Sequence, residues 1–164
     1  MQHTSTSRVV PAFAACLLAS CQSTPPASES EPQVRAAVQA WAAAFNECSA
    51  EKAASLYAPE AVLWGTVSQE LISTPEGIRQ YFARACASAT PPQVALGEQV
   101  VRTQGDGAVS SGTYTFALSV QGQSRSVPAR FSFAYRKAGG TWLIVSHHSS
   151  PMPPPTQPAA SAAR

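Results

Sequence analysis

Residues 141–153 read TWLIVSHHSSPMP, and this stretch decides how the rest of the chain is interpreted. It has the length and apolar content of one β-strand, and proline-rich sequence follows it directly. The strand carries two adjacent histidines, His147 and His148. We therefore expect a strand that closes a folded domain, and we expect any chemistry of the domain to involve it.

A period of two residues, typical of β-strands, begins at about residue 92. Apolar side chains alternate with small or polar ones over residues 94–100, 108–120 and 127–135. Turns that contain glycine separate the strands at residues 105–107, 121–123 and 138–140. The pattern predicts four long antiparallel strands joined by short turns.

The first half of the domain has helical periodicity instead. Apolar side chains recur at helical spacing in residues 32–47, at Val34, Val38, Trp41 and Phe45. Ser49 and Thr74 are suitable N-caps for two further helices, and Pro75 suits a first turn. Residues 61–64 and 69–72 are interpreted as short strands. Helices followed by a long meander predict an α+β domain, with the helices packed on one face of a curved sheet.

The N-terminus has the features of a bacterial lipoprotein signal peptide. Arg8 precedes an apolar segment of signal-peptide length, and residues 18–21, LASC, resemble a lipobox. The resemblance implies cleavage after residue 20 and lipidation of Cys21. An ordinary signal peptide that happens to contain a cysteine is the alternative. We expect a protein anchored by lipid to the bacterial cell envelope, and Gln22 fits the usual pattern for the outer membrane, facing the periplasm.

These features divide the chain into four predicted regions. They are a lipoprotein signal peptide at residues 1–20, a Pro/Ser-rich tether at 21–31, the folded domain at 32–150, and a disordered Pro/Ala-rich tail at 151–164.

Two cysteines remain in the predicted mature domain, Cys48 and Cys86. An even pair in an exported, oxidising compartment predicts a disulfide, and two buried free thiols are the alternative.

The charge pattern argues against a nucleic-acid partner. The formal net charge is only +2, and no run of basic residues occurs. Binding to nucleic acid depends on many contacts between basic side chains and phosphates.

Three motifs in the predicted sheet are shared with a known family. They are Ser111-Gly112-x-Tyr114-x-Phe116, Ala129-Arg130-Phe131, and Trp142-x-Ile144-Val145-x-His147-His148-Ser149-Ser150-x-Met152-Pro153. With the order of the elements, they resemble the nuclear transport factor 2-like (SnoaL-like) superfamily. Within it, the chain is similar to the calcium/calmodulin-dependent kinase II association domain and to its bacterial SgcJ/EcaC-type relatives. The resemblance implies a cone-shaped antiparallel sheet with a mixed edge and three helices on its concave face. It also implies a deep pocket between the two layers and a homodimer or higher ring formed through the outer face of the sheet.

Strand pairing predicts which residues face that pocket. Turns centred near residues 122–123 and at Gly139 would place one alternating set of side chains on the inner face. The predicted pocket residues are Trp41, Phe45, Trp64, Tyr81, Thr113, Phe131, Phe133, Tyr135, His147 and Ser149. The four aromatic residues from the first half of the chain are alternatively part of the core. Alignment with the kinase association domain places its pocket arginines at Thr113, Phe133 and Ser149, none of which is basic. A small apolar or neutral ligand is therefore expected.

The two histidines point to opposite faces of the strand because neighbouring side chains alternate. His147 is the candidate catalytic residue, as a general acid or base in the pocket. A structural histidine held by hydrogen bonds is the alternative. His148 is expected on the outer face, in an oligomer contact. The chain has too few neighbouring donors to predict a metal site, and it has no nucleotide-binding motif, so no cofactor is expected.

Three functions remain open from the sequence. The first is a lipid-anchored ligand-binding or oligomerisation module with a mainly apolar pocket. The second is an enzyme that uses His147, either of the cofactor-free isomerase or dehydratase type or of the SgcJ/EcaC type, some members of which carry the label oxidoreductase. The third is a purely structural oligomeriser.

Overall fold

The computed structural model describes residues 27–87 and 90–155. The predicted signal peptide, Cys21 and most of the predicted tether lie outside the described residues. The elements, in chain order, are α1 (Ala27–Asn46), α2 (Ala50–Ser55), β1 (Tyr57–Trp64), α3 (Pro75–Ala85), β2 (Gln93–Gln104), β3 (Gly107–Val120), β4 (Gln123–Ala138) and β5 (Thr141–Pro151). None of the helices in this described part is long and apolar enough to cross a membrane.

The helices begin where residue chemistry places their caps. Ser49 accepts a hydrogen bond from the backbone N–H of Lys52 at the start of α2, and Thr74 accepts one from Gly77 at the start of α3. The first helix differs from the prediction, because α1 begins at Ala27 and Pro32 lies inside it. Residues 27–31, predicted as tether, are therefore helical.

The five strands form one sheet in the order β1-β5-β4-β3-β2. β1 runs parallel to β5, whereas the other neighbouring strands are antiparallel, which confirms the predicted sheet with a mixed edge. The predicted strand at residues 69–72 is wrong: within the described residues only Ile72 pairs, in an isolated bridge with Leu63. Three helices cover the concave face of the curved sheet.

The core lies between α1 and the sheet, and Trp41 is at its centre. The Trp41 side chain is 1% exposed, and its ring stacks on Tyr114 at 5.7 Å between centroids. It also makes edge contacts with Phe133 and His147, both at 5.3 Å. Such aromatic pairs stabilise by about 0.5–1.5 kcal/mol each beyond burial of their area. The helix and the closing strand are therefore joined through one indole ring.

A disulfide joins Cys48 and Cys86, as predicted, with their Cα atoms 5.5 Å apart. It ties the turn between α1 and α2 to the end of α3. The backbone of Cys48 is in the left-handed region, with φ of 52°. The disulfide therefore fixes α3 against the rest of the helical layer.

Candidate ligand cavity

A cavity of about 230 Å³ lies between α1, α3 and the concave face of the sheet. Most of its walls are apolar or aromatic. Its lining residues are Trp41, Phe45, Thr66, Val67, Tyr81, Phe82, Ala85, Pro92, Tyr114, Phe116, Leu118, Val127, His147 and Ser149. A concave apolar site with a few polar groups is the usual form of a small-molecule site.

Five predicted pocket residues line this cavity. They are Trp41, Phe45, Tyr81, His147 and Ser149. The first two lie on the buried face of α1, and Tyr81 lies on α3. His147 and Ser149 face inward from β5 because they pair with Phe133 and Phe131 of β4. The predicted register was displaced by two residues, an even number, so the same face of β5 points inward.

The prediction for β3 was wrong because its register was displaced by an odd number of residues. The β3–β4 hairpin pairs Val120 with Gln123, so that Thr113 pairs with Arg130 rather than with Phe133. An odd displacement turns every side chain of a strand to the other face. Thr113 is therefore absent from the cavity wall, and Tyr114 is present instead.

Phe116 and Leu118 of β3 line the cavity for the same reason. The sequence contained a usable signal, because Gln121-Gly122 suits a two-residue hairpin turn. Both residues have positive φ, 51° and 76°, as that turn requires.

Four further predicted residues lie elsewhere. Phe131 and Phe133 are buried in the aromatic core beside the cavity. Tyr135 lines a separate cavity of about 430 Å³ near the start of β3. Trp64 is 42% exposed, because it pairs with His148 on the outer face of the sheet. The inward position on β1 belongs to Leu63, which pairs with His147.

A chain of hydrogen bonds fixes His147. Trp41 Nε1 donates to the hydroxyl of Tyr57 at 3.1 Å, and this hydroxyl lies 2.8 Å from Nδ1 of His147. An indole N–H can only donate, so the single hydrogen of the Tyr57 hydroxyl is available for Nδ1. We assign Nδ1 as the acceptor, because the Tyr57 hydroxyl hydrogen would otherwise have no acceptor among the described residues; neutral His147 then carries its hydrogen on Nε2.

His147 is 3% exposed, and its Nε2 has no hydrogen-bond partner among residues 27–87 and 90–155. Burial, with a smaller contribution from the charge of His148, lowers the pKa of His147 to about 3. The ring is therefore neutral at physiological pH. A buried N–H without a partner costs about 1–3 kcal/mol, so a ligand acceptor that reached it would recover this energy.

A second polar group of the cavity consists of three hydroxyls. Tyr114 donates to Ser149 at 2.5 Å, and the Ser149 hydroxyl also bonds to that of Thr66. Burial raises the pKa of Tyr114 above its ordinary value, so its hydroxyl keeps its proton. Thr66, in the loop after β1, was missed because its position depends on contacts with β5 rather than on a local pattern.

A larger cavity of about 490 Å³ adjoins the first one. It shares Val67, Tyr81 and Ala85 with the inner cavity. Its remaining lining residues are Ser68, Gln69, Glu70, Ile72 and Arg84. We call it the outer cavity. Tyr81 separates the two spaces and packs so closely on Gly65 that a side chain there would overlap its ring.

No group of three His, Cys, Asp or Glu residues in the described ranges could hold a metal ion. The lining of the inner cavity also has no carboxylate among these residues, whereas Glu70 lines the outer cavity. The polar chemistry of the inner cavity is therefore that of neutral donors and hydroxyls.

A helix-covered curved sheet around an apolar cavity defines the class of nuclear transport factor 2-like domains. A family model for the SnoaL-like domain matches residues 34–155. The chain belongs to this SnoaL-like family.

Solved structures with the same fold come from several bacteria. The chain is 40% identical to a proposed calcium/calmodulin-dependent protein kinase II association domain from Xanthomonas campestris, over 73% of this chain and 86% of that one, with a TM-score of 0.67. A proposed dehydratase of the nuclear transport factor 2-like family from Streptomyces avermitilis is 18% identical, over 77% and 99% of the two chains, with a TM-score of 0.71. A ketosteroid isomerase-like protein from Erwinia carotovora is 18% identical, over 75% and 96%, with a TM-score of 0.63. The last two show the fold alone. No protein of curated function is significantly similar to the chain.

Proposed function

We propose that the protein is a ligand-binding module whose inner cavity holds a small, mostly apolar molecule with one hydrogen-bond acceptor. The observation that carries this proposal is that His147 lines an apolar cavity while its buried Nε2, to which we assign the hydrogen, has no partner among the described residues. An apolar body would fill the space between Phe45, Phe82 and Phe116. A neutral acceptor such as a carbonyl would receive the hydrogen of Nε2.

The hydrogen-bond direction favours binding over general base catalysis. The lone pair of Nδ1 is occupied by Tyr57, and the other nitrogen carries a hydrogen. A neutral imidazole held in this way can donate a hydrogen bond but has no free lone pair with which to take a proton. His147 is thus held by its hydrogen bond to Tyr57, and it also lines the cavity.

Cyclohexanone and methylenecyclohexane test the proposal, because they have nearly the same shape and only the ketone accepts a hydrogen bond. Titration followed by tryptophan fluorescence and by amide chemical shifts should show tighter binding of the ketone. His147→Phe should remove the preference, whereas His148→Phe, on the exposed face, should keep it. Equal affinity of the two probes for the unmodified protein would contradict the proposal.

A second candidate function is isomerisation of a carbonyl compound. The same N–H could polarise a carbonyl, as neutral imidazole does in some isomerases. Glu70 is then the carboxylate in the cavity lining that could accept a proton. Exchange of the α-hydrogens of cyclohexanone in D₂O, followed by NMR, tests this activity. A rate no faster than in buffer would favour binding alone, and a rate lost in Glu70→Gln would favour the enzyme.

We also propose that copies of the chain associate through the outer face of the sheet. Val100 and Val109 are 52% and 47% exposed on adjacent strands there, and His148 is exposed on the same face. The similarity to an association domain supports this arrangement.

Anchoring of the module to the bacterial envelope, through lipid on Cys21, remains part of the proposal. It is supported by residues 18–21 of the sequence alone. Membrane fractionation of the full chain and of Cys21→Ser tests it. An unchanged distribution of the variant would refute lipidation.

A further inference from the structure

The outer cavity is lined by an arginine that has no anionic partner among the described residues. Arg84, in the last turn of α3, lines this cavity and has no ion pair within the part of the chain that the structure describes. Arg79 of the same helix, by contrast, pairs with Glu76 at 2.7 Å and with Glu51 at 3.3 Å. A guanidinium is a strong, forked donor for carboxylates.

The two cavities adjoin at a shared wall. Val67, Tyr81 and Ala85 contribute to both linings, so a ligand seated in the inner cavity would have its outward end beside these residues. Ala85 and Arg84 are neighbours in the chain. The cation therefore borders the place where such a ligand would emerge.

The two spaces differ in polarity. Aromatic and aliphatic side chains dominate the inner cavity, whereas the outer one adds Ser68, Gln69, Glu70 and Arg84. Arg84 is the sole cationic side chain among the described lining residues, since His147 is neutral. An occupant of both spaces would be apolar at one end and anionic at the other.

We propose that Arg84 forms an anion subsite, so that the ligand class is a small carboxylate with an apolar body and an inner hydrogen-bond acceptor. This inference rests on the function proposed for the inner cavity and extends it outward. It also places the anion site on α3, whereas the kinase association domain has its arginines on the sheet. Glu70, in the same lining, would oppose the anion and limit its affinity.

The test compares 4-oxocyclohexanecarboxylate with its methyl ester, and the longer 3-(4-oxocyclohexyl)propanoate with its own ester. Exposed charge pairs contribute up to about 1 kcal/mol. This corresponds to about a fivefold preference for an acid over its ester, for whichever of the two acids binds more tightly. Arg84→Gln should abolish this preference, and Glu70→Gln should increase it. The preference should also shrink at high salt.

Arg79→Gln is the matched control, because it removes a guanidinium from the same helix outside the cavity. The Arg79→Gln variant should prefer the acid over the ester as strongly as the unmodified protein does. An acid preference that survives Arg84→Gln, or none in the unmodified protein, would overturn the anion subsite. Cyclohexanone, which has no charge, is bound equally by all these variants if they fold. Failure of cyclohexanone to bind the unmodified protein would instead overturn the inner-cavity function.

Discussion

The Tyr57 hydroxyl lies 2.8 Å from Nδ1 of His147, although the two residues are 90 positions apart in the chain. This contact joins the first strand to the last one and sets the direction in which the imidazole can donate. The second partner of the Tyr57 hydroxyl, Trp41, comes from α1. Three elements therefore have to meet before the cavity has its polar group.

Removing this hydroxyl should cost stability. Tyr57→Phe leaves the Trp41 N–H and Nδ1 of His147 buried without their partner, which should lower the free energy of unfolding by about 1–3 kcal/mol. Urea denaturation measures the loss. Tyr135→Phe is the control, because the Tyr135 hydroxyl is buried and has no partner in the described ranges. It should leave stability unchanged or higher; equal losses in the two variants would contradict the assigned bonds.

The low pKa of His147 predicts how stability depends on pH. Its ordinary pKa is 6.5, and burial lowers the value in the folded protein to about 3. Below pH 6.5 the unfolded chain takes up a proton that the folded chain does not. The contribution of neutral His147 to the free energy of unfolding is therefore complete above pH 6.5. It is lost as the pH falls towards 3, by up to about 1.4 kcal/mol per pH unit.

Denaturation between pH 6.5 and 5.5 isolates this effect, because glutamates with a lowered pKa, such as Glu76, stay ionised there in both the folded and the unfolded chain. His147→Asn should reduce the slope of the free energy of unfolding against pH, because up to one fewer proton is taken up on unfolding. His148→Gln, at an exposed position, should retain it. A slope that stays the same in His147→Asn would show that another group titrates.

The disulfide should stabilise the domain and hold the α3 wall of the cavity. The two cysteines are separated by 38 residues, and in the chain-entropy model closing such a loop contributes about 3–4 kcal/mol. The double variant Cys48→Ser/Cys86→Ser should melt at a lower temperature and bind cyclohexanone more weakly. Reductant should lower the melting temperature of the unmodified protein and have no effect on the double variant. Equal melting temperatures would contradict the stabilising role.

Gly112 should tolerate no side chain. A Cβ there would overlap the carbonyl oxygen of Glu98 and lie 2.9 Å from the Phe131 ring. Since a backbone carbonyl cannot move aside easily, Gly112→Ala should destabilise by about 1–3 kcal/mol. Gly107→Ala is the control, because its nearest neighbouring atom lies at 3.4 Å. Thermal unfolding compares them, and similar melting temperatures would refute the close approach of β2 and β3.

Association through the outer face predicts that a charge at Val109 separates the copies. Val109→Asp should convert an oligomer to a monomer in size-exclusion chromatography with light scattering, because an unpaired carboxylate would be buried in the contact. Leu71→Asp is the control; this residue is 45% exposed on the loop before α3. An oligomer that persists in Val109→Asp would place the interface elsewhere, and a monomeric unmodified protein would refute association.

Local chemistry was enough to predict most of the fold. The caps at Ser49 and Thr74 and the apolar face of α1 depend on residues within a few positions of one another. The alternation of apolar with small or polar side chains predicted each long strand and its approximate ends. The Cys48–Cys86 pair followed from counting the cysteines, on the expectation that the chain is exported. These inferences needed no knowledge of distant contacts, although the early start of α1 shows that they do not locate a helix end.

The cavity required the tertiary structure, because a strand has two faces and one residue of register exchanges them. The β3–β4 turn at Gln121-Gly122 decided that Tyr114, not Thr113, faces inward. Sequence alone identified His147 and Ser149 as inward residues of the closing strand. Only the packing of Tyr57 and Trp41 against that strand determined which imidazole nitrogen is hydrogen-bonded and which one has no partner among the described residues.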